Sequence, residues 1–267
     1  MRRLSTAELL SAWEQALGQT PLARAVVLLS AATGESPERL ARLSIGERDA
    51  RLLALRAATF GPQLTSVTTC PACGERLEMT FGADELRGAD RPSSADDLHM
   101  ASGLRGAGEL NSARHDTQDE TCALGCAGYD VLFRLPNTLD LAAVAEGADV
   151  DAARLVLIER CILSARRGDD EVAFVNLPRE VLDAIAARMG EADPRGDVQL
   201  ALACTRCAHE WREAFDVGQF LWAELHAWAA RTLGEVHKLA RAYGWREADI
   251  LALSPARRQF YLDMIGG

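Results

Sequence analysis

Two Cys-x-x-Cys units hold the residues of this chain best suited to chemistry: Cys70 and Cys73 in "TTCPACGERLEMTF", and Cys204 and Cys207 in "LACTRCAHEWREAF". Each unit directs two thiolates at one ion with little strain, and zinc takes four tetrahedral nitrogen or sulfur ligands. Neither unit closes such a site alone. The spacing therefore predicts that the distant pairs join around one structural Zn2+, with everything between them an insertion. Closing so long a loop through a metal stabilises the fold, since binding free energy is also folding free energy. Two other chemistries fit the same residues: free or buried thiols, and thiol–disulfide exchange at Cys-Pro-Ala-Cys. Exchange motifs follow a strand and open a helix. Here the first unit is followed by strand-like alternation at Leu77, Met79 and Phe81, with no βαβ pattern upstream. Gly74 sits where the first knuckle must turn sharply, and Ala208 takes that place in the second, with Trp211 and Phe215 at comparable offsets.

The remaining candidates are weaker. Seven cysteines cannot all pair, and in a reducing compartment paired units are metal ligands or redox centres before they are bridges. Cys122 and Cys126 have a spacing that could serve a second ion, but His115 is the only nearby partner, and "CALGCAG" reads as an irregular loop. Cys161 lies among Ile and Leu as a small core residue. His209 follows Cys207 closely enough to replace a thiol or to support one from outside. His226 and His237 lie three helical turns apart, roughly 16 Å, and so cannot share an ion. Acidic groups such as Asp96–Asp97 and Asp169–Asp170–Glu171 are expected in loop-like, solvated stretches. No phosphate-binding glycine loop, His-Glu-x-x-His or Gly-x-Ser-x-Gly is present, so no enzyme and no small-molecule substrate is expected.

Most of the chain around the cysteines is patterned as helix. Ser5 with Glu8 forms a capping-box pattern ahead of Leu9, Leu10, Trp13 and Leu17. Thr20-Pro21, Ser36-Pro37 and Ser44 with Glu47 open further helices, and "FGP" at Phe60 to Pro62 closes the last. "YDVLFRL" from Tyr129 is a strand ended by Pro136. Asp151 is predicted to cap a helix over "AARLVLIERCILSA", with Leu155, Ile158 and Ile162 on one face, and "PREVLDAIAARM" is a second helix. "VQLALA" is a strand leading into the second knuckle. A long helix then runs from an Asp216 cap, with Gln219 three residues on, to Gly244, spanning roughly 40 Å. "READILAL" and "SPARRQFYLDMI" are two short helices beyond it.

The fold class predicted is α+β, mainly α-helical, with small zinc-ribbon β-hairpins formed by the two knuckles, a helical insertion and C-terminal helices. The divisions are an N-terminal helical region (1–62), first knuckle (63–82), flexible loop (83–128), strand plus helical insertion (129–196), second knuckle (197–216) and C-terminal helical region (217–267). The 83–121 stretch is too poor in large apolar residues to offset its ordering entropy. The knuckles are the only internal repeat.

Charge narrows the partners. With 29 basic and 39 acidic residues the chain is net −10, which disfavours phosphate backbones, so a zinc-ribbon nucleic-acid module is an alternative that would need a local basic face. The longest apolar run, "AVVLLSAA", is far short of the roughly 20 residues of a membrane span. The N-terminus lacks the pattern of a signal peptide, which places the chain in the cytoplasm when it is made. Aromatic residues and arginine gather in the last fifty residues; Trp222, Trp245, Arg257, Arg258 and Tyr261 are the candidate partner contacts.

The C-terminal stretch "FDVGQFLWAELHAWAARTLGEVHKLARAYGWREADILALSPARRQFYLDMI" resembles the end of bacterial proteins grouped with the phage T4-like baseplate hub and assembly family of contractile tails and contractile injection systems. The likeness is densest from Glu235-Val236-His237 to Tyr243-Gly244-Trp245, at Ile250 to Leu253, and from Arg257-Arg258 to Tyr261-Leu262. It extends to "LSIGERDARLLALRAATFGP" and "FRLPNTLDLAAVA". The resemblance implies a structural or assembly protein whose partners are other baseplate or tail-assembly proteins, made in a bacterial cytoplasm and incorporated into a phage-like particle.

Overall fold

The computed structural model describes residues 2–83, 86, 121–144 and 149–266. Its first sixty residues form helices α1 (Thr6–Ala16), α2 (Pro21–Thr33), α3 (Pro37–Ala41) and α4 (Ile45–Phe60). Each begins at the residue the sequence marks. The Ser5 hydroxyl accepts from the Glu8 N–H while the Glu8 carboxylate accepts from the Ser5 N–H, a complete capping box. Thr20, Ser36 and Ser44 cap the next three helices with their hydroxyls. Leu28, Leu29, Leu40 and Leu52 on their inner faces are fully buried. Each contributes about 1.5–3 kcal/mol of burial.

Two antiparallel hairpins lean on these helices: β1 (Gln63–Thr69) with β2 (Arg76–Gly82), and β7 (Gln199–Ala203) with β8 (Glu210–Ala214). Leu64 of β1 is fully buried in the same core as the N-terminal helices. The long helix α8 (Val217–Tyr243) starts at Asp216, whose carboxylate accepts from the Gln219 N–H, and stops at Gly244 in the left-handed conformation. Its first half joins the core through Val217, Leu221 and Leu225. Buried Arg56 of α4 forms a two-pronged pair with Glu224 of α8 (2.7 and 2.8 Å) and donates to the carbonyls of Gly61 and Gln63. It thereby ties helix, helix and hairpin at one point.

The insertion differs from the expected strand plus helices. Strands β3 (Thr121–Cys126), β4 (Tyr129–Arg134), β5 (Ile162–Arg167) and β6 (Asp170–Glu171) form an antiparallel sheet in the order β3-β4-β5-β6. Helices α5 (Thr138–Val144), α6 (Val150–Cys161) and α7 (Arg179–Ala192) complete this region. A second core, separate from the first, packs Val131, Phe133, Ile158, Val181 and Ile185.

Three expectations are corrected here. The segment at Cys122 and Cys126, placed in the 83–128 loop, is strand β3, because Cys122 and Cys126 pair opposite Phe133 and Tyr129 of β4. The rest of that loop, and His115, lie outside the described residues. The helix expected through Ala165 ends at Cys161, and Ile162 instead pairs with Phe133 as the start of β5; Asp149 rather than Asp151 caps it, accepting from the N–H groups of Asp151 and Ala152.

Insertion and helical region meet at the start of α4. The Gly46 N–H donates to the Asp193 carboxylate (2.8 Å), and Ile45 N–H donates to the Pro136 carbonyl (3.2 Å). An anion at a helix N-terminus also meets the positive end of the helix dipole. Buried Asp140 is gripped by Arg134 and Arg160. Burial alone would raise its pKa, but Arg134, the Asn137 N–H and Arg160 outweigh it and hold the carboxyl below its ordinary value.

Beyond α8 come α9 (Glu247–Ala252) and α10 (Pro255–Gly266), which gather with the end of α8 around Val236, Leu239 and Ile250.

Candidate metal centre

The two knuckles are built alike, residue for residue. In the first, the Cys70 N–H donates to the Glu75 carbonyl (2.8 Å) and the Gly74 N–H to the Cys70 carbonyl (2.9 Å). In the second, the Cys204 N–H donates to the His209 carbonyl and the Ala208 N–H to the Cys204 carbonyl, both at 2.9 Å. The same position turns left-handed in both, with φ 72° at Gly74 and 56° at Ala208. A strand enters each turn and a strand leaves it, so neither knuckle opens a helix as a thiol-exchange site does.

Facing each other, the knuckles bring four sulfurs together. Cys70 Sγ lies 3.7 Å from Cys207 Sγ, and Cys73 Sγ lies 3.6 Å from Cys204 Sγ. All four lie within 4.8 Å of one another. These distances are far beyond a disulfide bond of about 2.05 Å. They match the edge of a tetrahedron drawn with zinc–sulfur bonds of about 2.3 Å, which is about 3.8 Å. Cys70 and Cys204 are buried, Cys73 is half-buried and Cys207 is exposed. The residues present thus fit a tetrahedral thiolate-bound ion.

Electrostatics agree that these sulfurs are crowded. At Cys73 the backbone hydrogen bond from Glu75 favours the thiolate, but the Cys207 thiol, burial and the other two thiols outweigh it and push the pKa up to about 12. At Cys204 burial opposes ionisation, yet the N–H groups of Cys207 and Arg206 with the Cys73 and Cys207 thiols bring it down to about 7. A divalent cation replaces the shared protons of such a cluster when it binds.

Around the sulfurs the hairpins make few other contacts. Arg206 pairs with Glu75 at the exposed rim (3.1 Å), which contributes at most about 1 kcal/mol. Thr68 Oγ1 and Trp211 Nε1 both donate to the Glu213 carboxylate, at 2.6 and 3.3 Å. Phe81 meets Phe215 edge-on at 5.3 Å. The aromatic pair was readable as equivalent positions of the two knuckles; the role of Glu213, opposite Thr68 across 145 residues, left no local signal.

The other predicted residues are distributed as follows. His209 is not in the sulfur cluster; its ring stacks with Trp211. His226 accepts a hydrogen bond from Trp13 Nε1 (3.1 Å). Cys161 is buried among apolar residues. Trp222 is half-buried with the Arg24 guanidinium 4.4 Å over its ring. Trp245 is half-buried between Tyr243 and Tyr261, and Arg257 is exposed above Tyr261. Arg258, expected at the surface, is buried instead: its Nε donates to Glu235 (3.0 Å) and its NH1 to the Leu253 carbonyl. It holds α10 to α8.

Among the described residues no helix is long and apolar enough to cross a membrane. No curated protein and no solved structure matches the chain. A family model does: that of the T4 bacteriophage base plate protein, over residues 25–222. The matched span takes in both knuckles, the insertion and the first turns of α8, and stops short of the C-terminal stretch where the resemblance in the sequence is densest. Since this span is well over half of the 267 residues, the chain belongs to the T4 bacteriophage base plate protein family.

Proposed function

We propose that this chain is a non-enzymatic structural or assembly protein of the baseplate of a contractile tail-like particle, braced by a structural Zn2+ on Cys70, Cys73, Cys204 and Cys207. The observation that carries the reading is the meeting of four sulfurs from two distant parts of the span that matches the family. The ion would supply a redox-inert tetrahedral clamp and offset part of the thiolate charge. The chain's own residues do the rest. The twin hairpins aim the sulfurs, Phe81 and Phe215 pack beside them, and the helices present rigid surfaces to other baseplate or tail-assembly proteins. Trp222, Trp245, Arg257 and Tyr261 belong to those surfaces. The protein is made in a bacterial cytoplasm and taken into a phage-like particle, with no nucleic acid or small molecule as its target.

Two measurements test this. Elemental analysis of never-chelated protein is expected to give stoichiometric zinc that Cys204→Ser abolishes; absence of zinc overturns the metal assignment. Deletion of the gene is expected to stop particle assembly or to leave defective particles. Normal particles that never contained it overturn the baseplate role.

A further inference from the structure

Helix α10 buries only Arg258 of its twelve residues. A helix this short draws its stability from packing, yet Phe260 is 65% and Met264 63% exposed, one turn apart on the same face. Tyr243 and Ile265 are also exposed large side chains. Single exposed apolar side chains are ordinary, but adjoining ones that form a patch rimmed by polar residues mark a protein contact site. Behind the face the support is firm: Arg258 is locked to Glu235, and Tyr261 packs edge-on against both Tyr243 and Trp245.

Charge says what covers it. From Arg231 to Gly266 the chain carries six basic and four acidic residues, although the whole chain is net −10. Arg258 and Glu235 satisfy each other. Arg257, one turn before Phe260, and Arg246, beside Trp245, are exposed and have no carboxylate partner among the described residues. We infer that this end of the molecule docks an apolar segment of another protein subunit, flanked by carboxylates that meet Arg246 and Arg257. Opposite charge steers and registers such a contact. A two-fold dimer through the same patch would instead set the arginine rim against itself. The inference rests on the baseplate reading for the identity of the subunit and extends it to a surface beyond the family match.

The test places a photo-crosslinking benzoylphenylalanine at position 260 of the full chain in cells producing the particle. The expected product joins it to a tail subunit at an apolar segment flanked by Asp or Glu. Arg246→Glu with Arg257→Glu is expected to lower the yield roughly tenfold, while Arg257→Lys keeps most of it. Phe260→Asp with Met264→Asp is expected to keep the native circular dichroism and melting temperature but to be lost from the particle. A crosslink to a second copy, no protein crosslink, or normal incorporation of the Asp variant overturns the docking surface. Normal particle assembly in cells that lack the gene, by contrast, overturns the baseplate role itself.

Discussion

Exchanging the residues at the two equivalent turns tests whether the knuckles are true structural twins. Ala208 holds φ 56°, a left-handed conformation that costs an L-residue roughly 1–2 kcal/mol. Glycine takes it without that cost but loses roughly 0.5–1 kcal/mol more backbone entropy on folding. Ala208→Gly should therefore stabilise the protein by about 0.5–1 kcal/mol. At about 2–4 °C per kcal/mol for a chain of this size, the melting temperature rises by about 1–4 °C. Gly74→Ala is the converse. At φ 72° an added Cβ meets no atom within 4 Å, so only backbone strain acts, and the melting temperature falls by a few degrees. Both variants are compared with wild type by calorimetry in reducing buffer at fixed free zinc. Opposite signs are the signature; a loss of stability in Ala208→Gly, or a gain in Gly74→Ala, refutes the matched geometry.

Three further outcomes follow from other contacts. Gly46→Ala would place a Cβ 1.8 Å from Asp193 Oδ1 and should cost roughly 2–4 kcal/mol in urea unfolding, and clearly less in an Asp193→Ala background. Asp140, held below its ordinary pKa by Arg134 and Arg160, gives stability that is fully present above the unfolded carboxylate value of about 4 and is lost as pH falls through and below it. Urea midpoints measured from pH 6 downward should therefore drop in acid, and Asp140→Asn, itself destabilising, should flatten that drop. Gly234, exposed in the middle of α8 with nothing within 4 Å of an added Cβ, should gain up to about 1 kcal/mol on replacement by alanine, read as a rise in melting temperature.

What the sequence made legible was local. Ser5 with Glu8, Thr20, Ser36, Ser44, Asp216 with Gln219, and Gly244 each act within three or four residues of themselves, and each is where its helix begins or ends. The meeting of Cys70, Cys73, Cys204 and Cys207 was readable because an incomplete ligand pair demands another. Strand β3 was not. "TCALGC" has no β-branched alternation beyond its first residue, and it becomes a strand through pairing with β4. The end of α6 was misread for a related reason: Ile162 and Leu163 continue an apolar run that suits helix or strand equally, and the hydrogen bonds of Phe133 decide. The burial of Arg258 has no local signal, because no nearby pattern announces Glu235, twenty-three positions earlier, as its partner. The joint at Gly46 and Asp193 spans 147 residues and is invisible to any short window.

Helix α8 belongs to both ends of the molecule: Leu221 and Leu225 lie in the main core, Val236 and Leu239 in the small cluster with Ile250. The stretch between Leu225 and Tyr243 spans roughly 25 Å, so one continuous helix couples the two clusters. The main core and the C-terminal cluster thus share one backbone, and loosening either end of the helix draws on the packing of both.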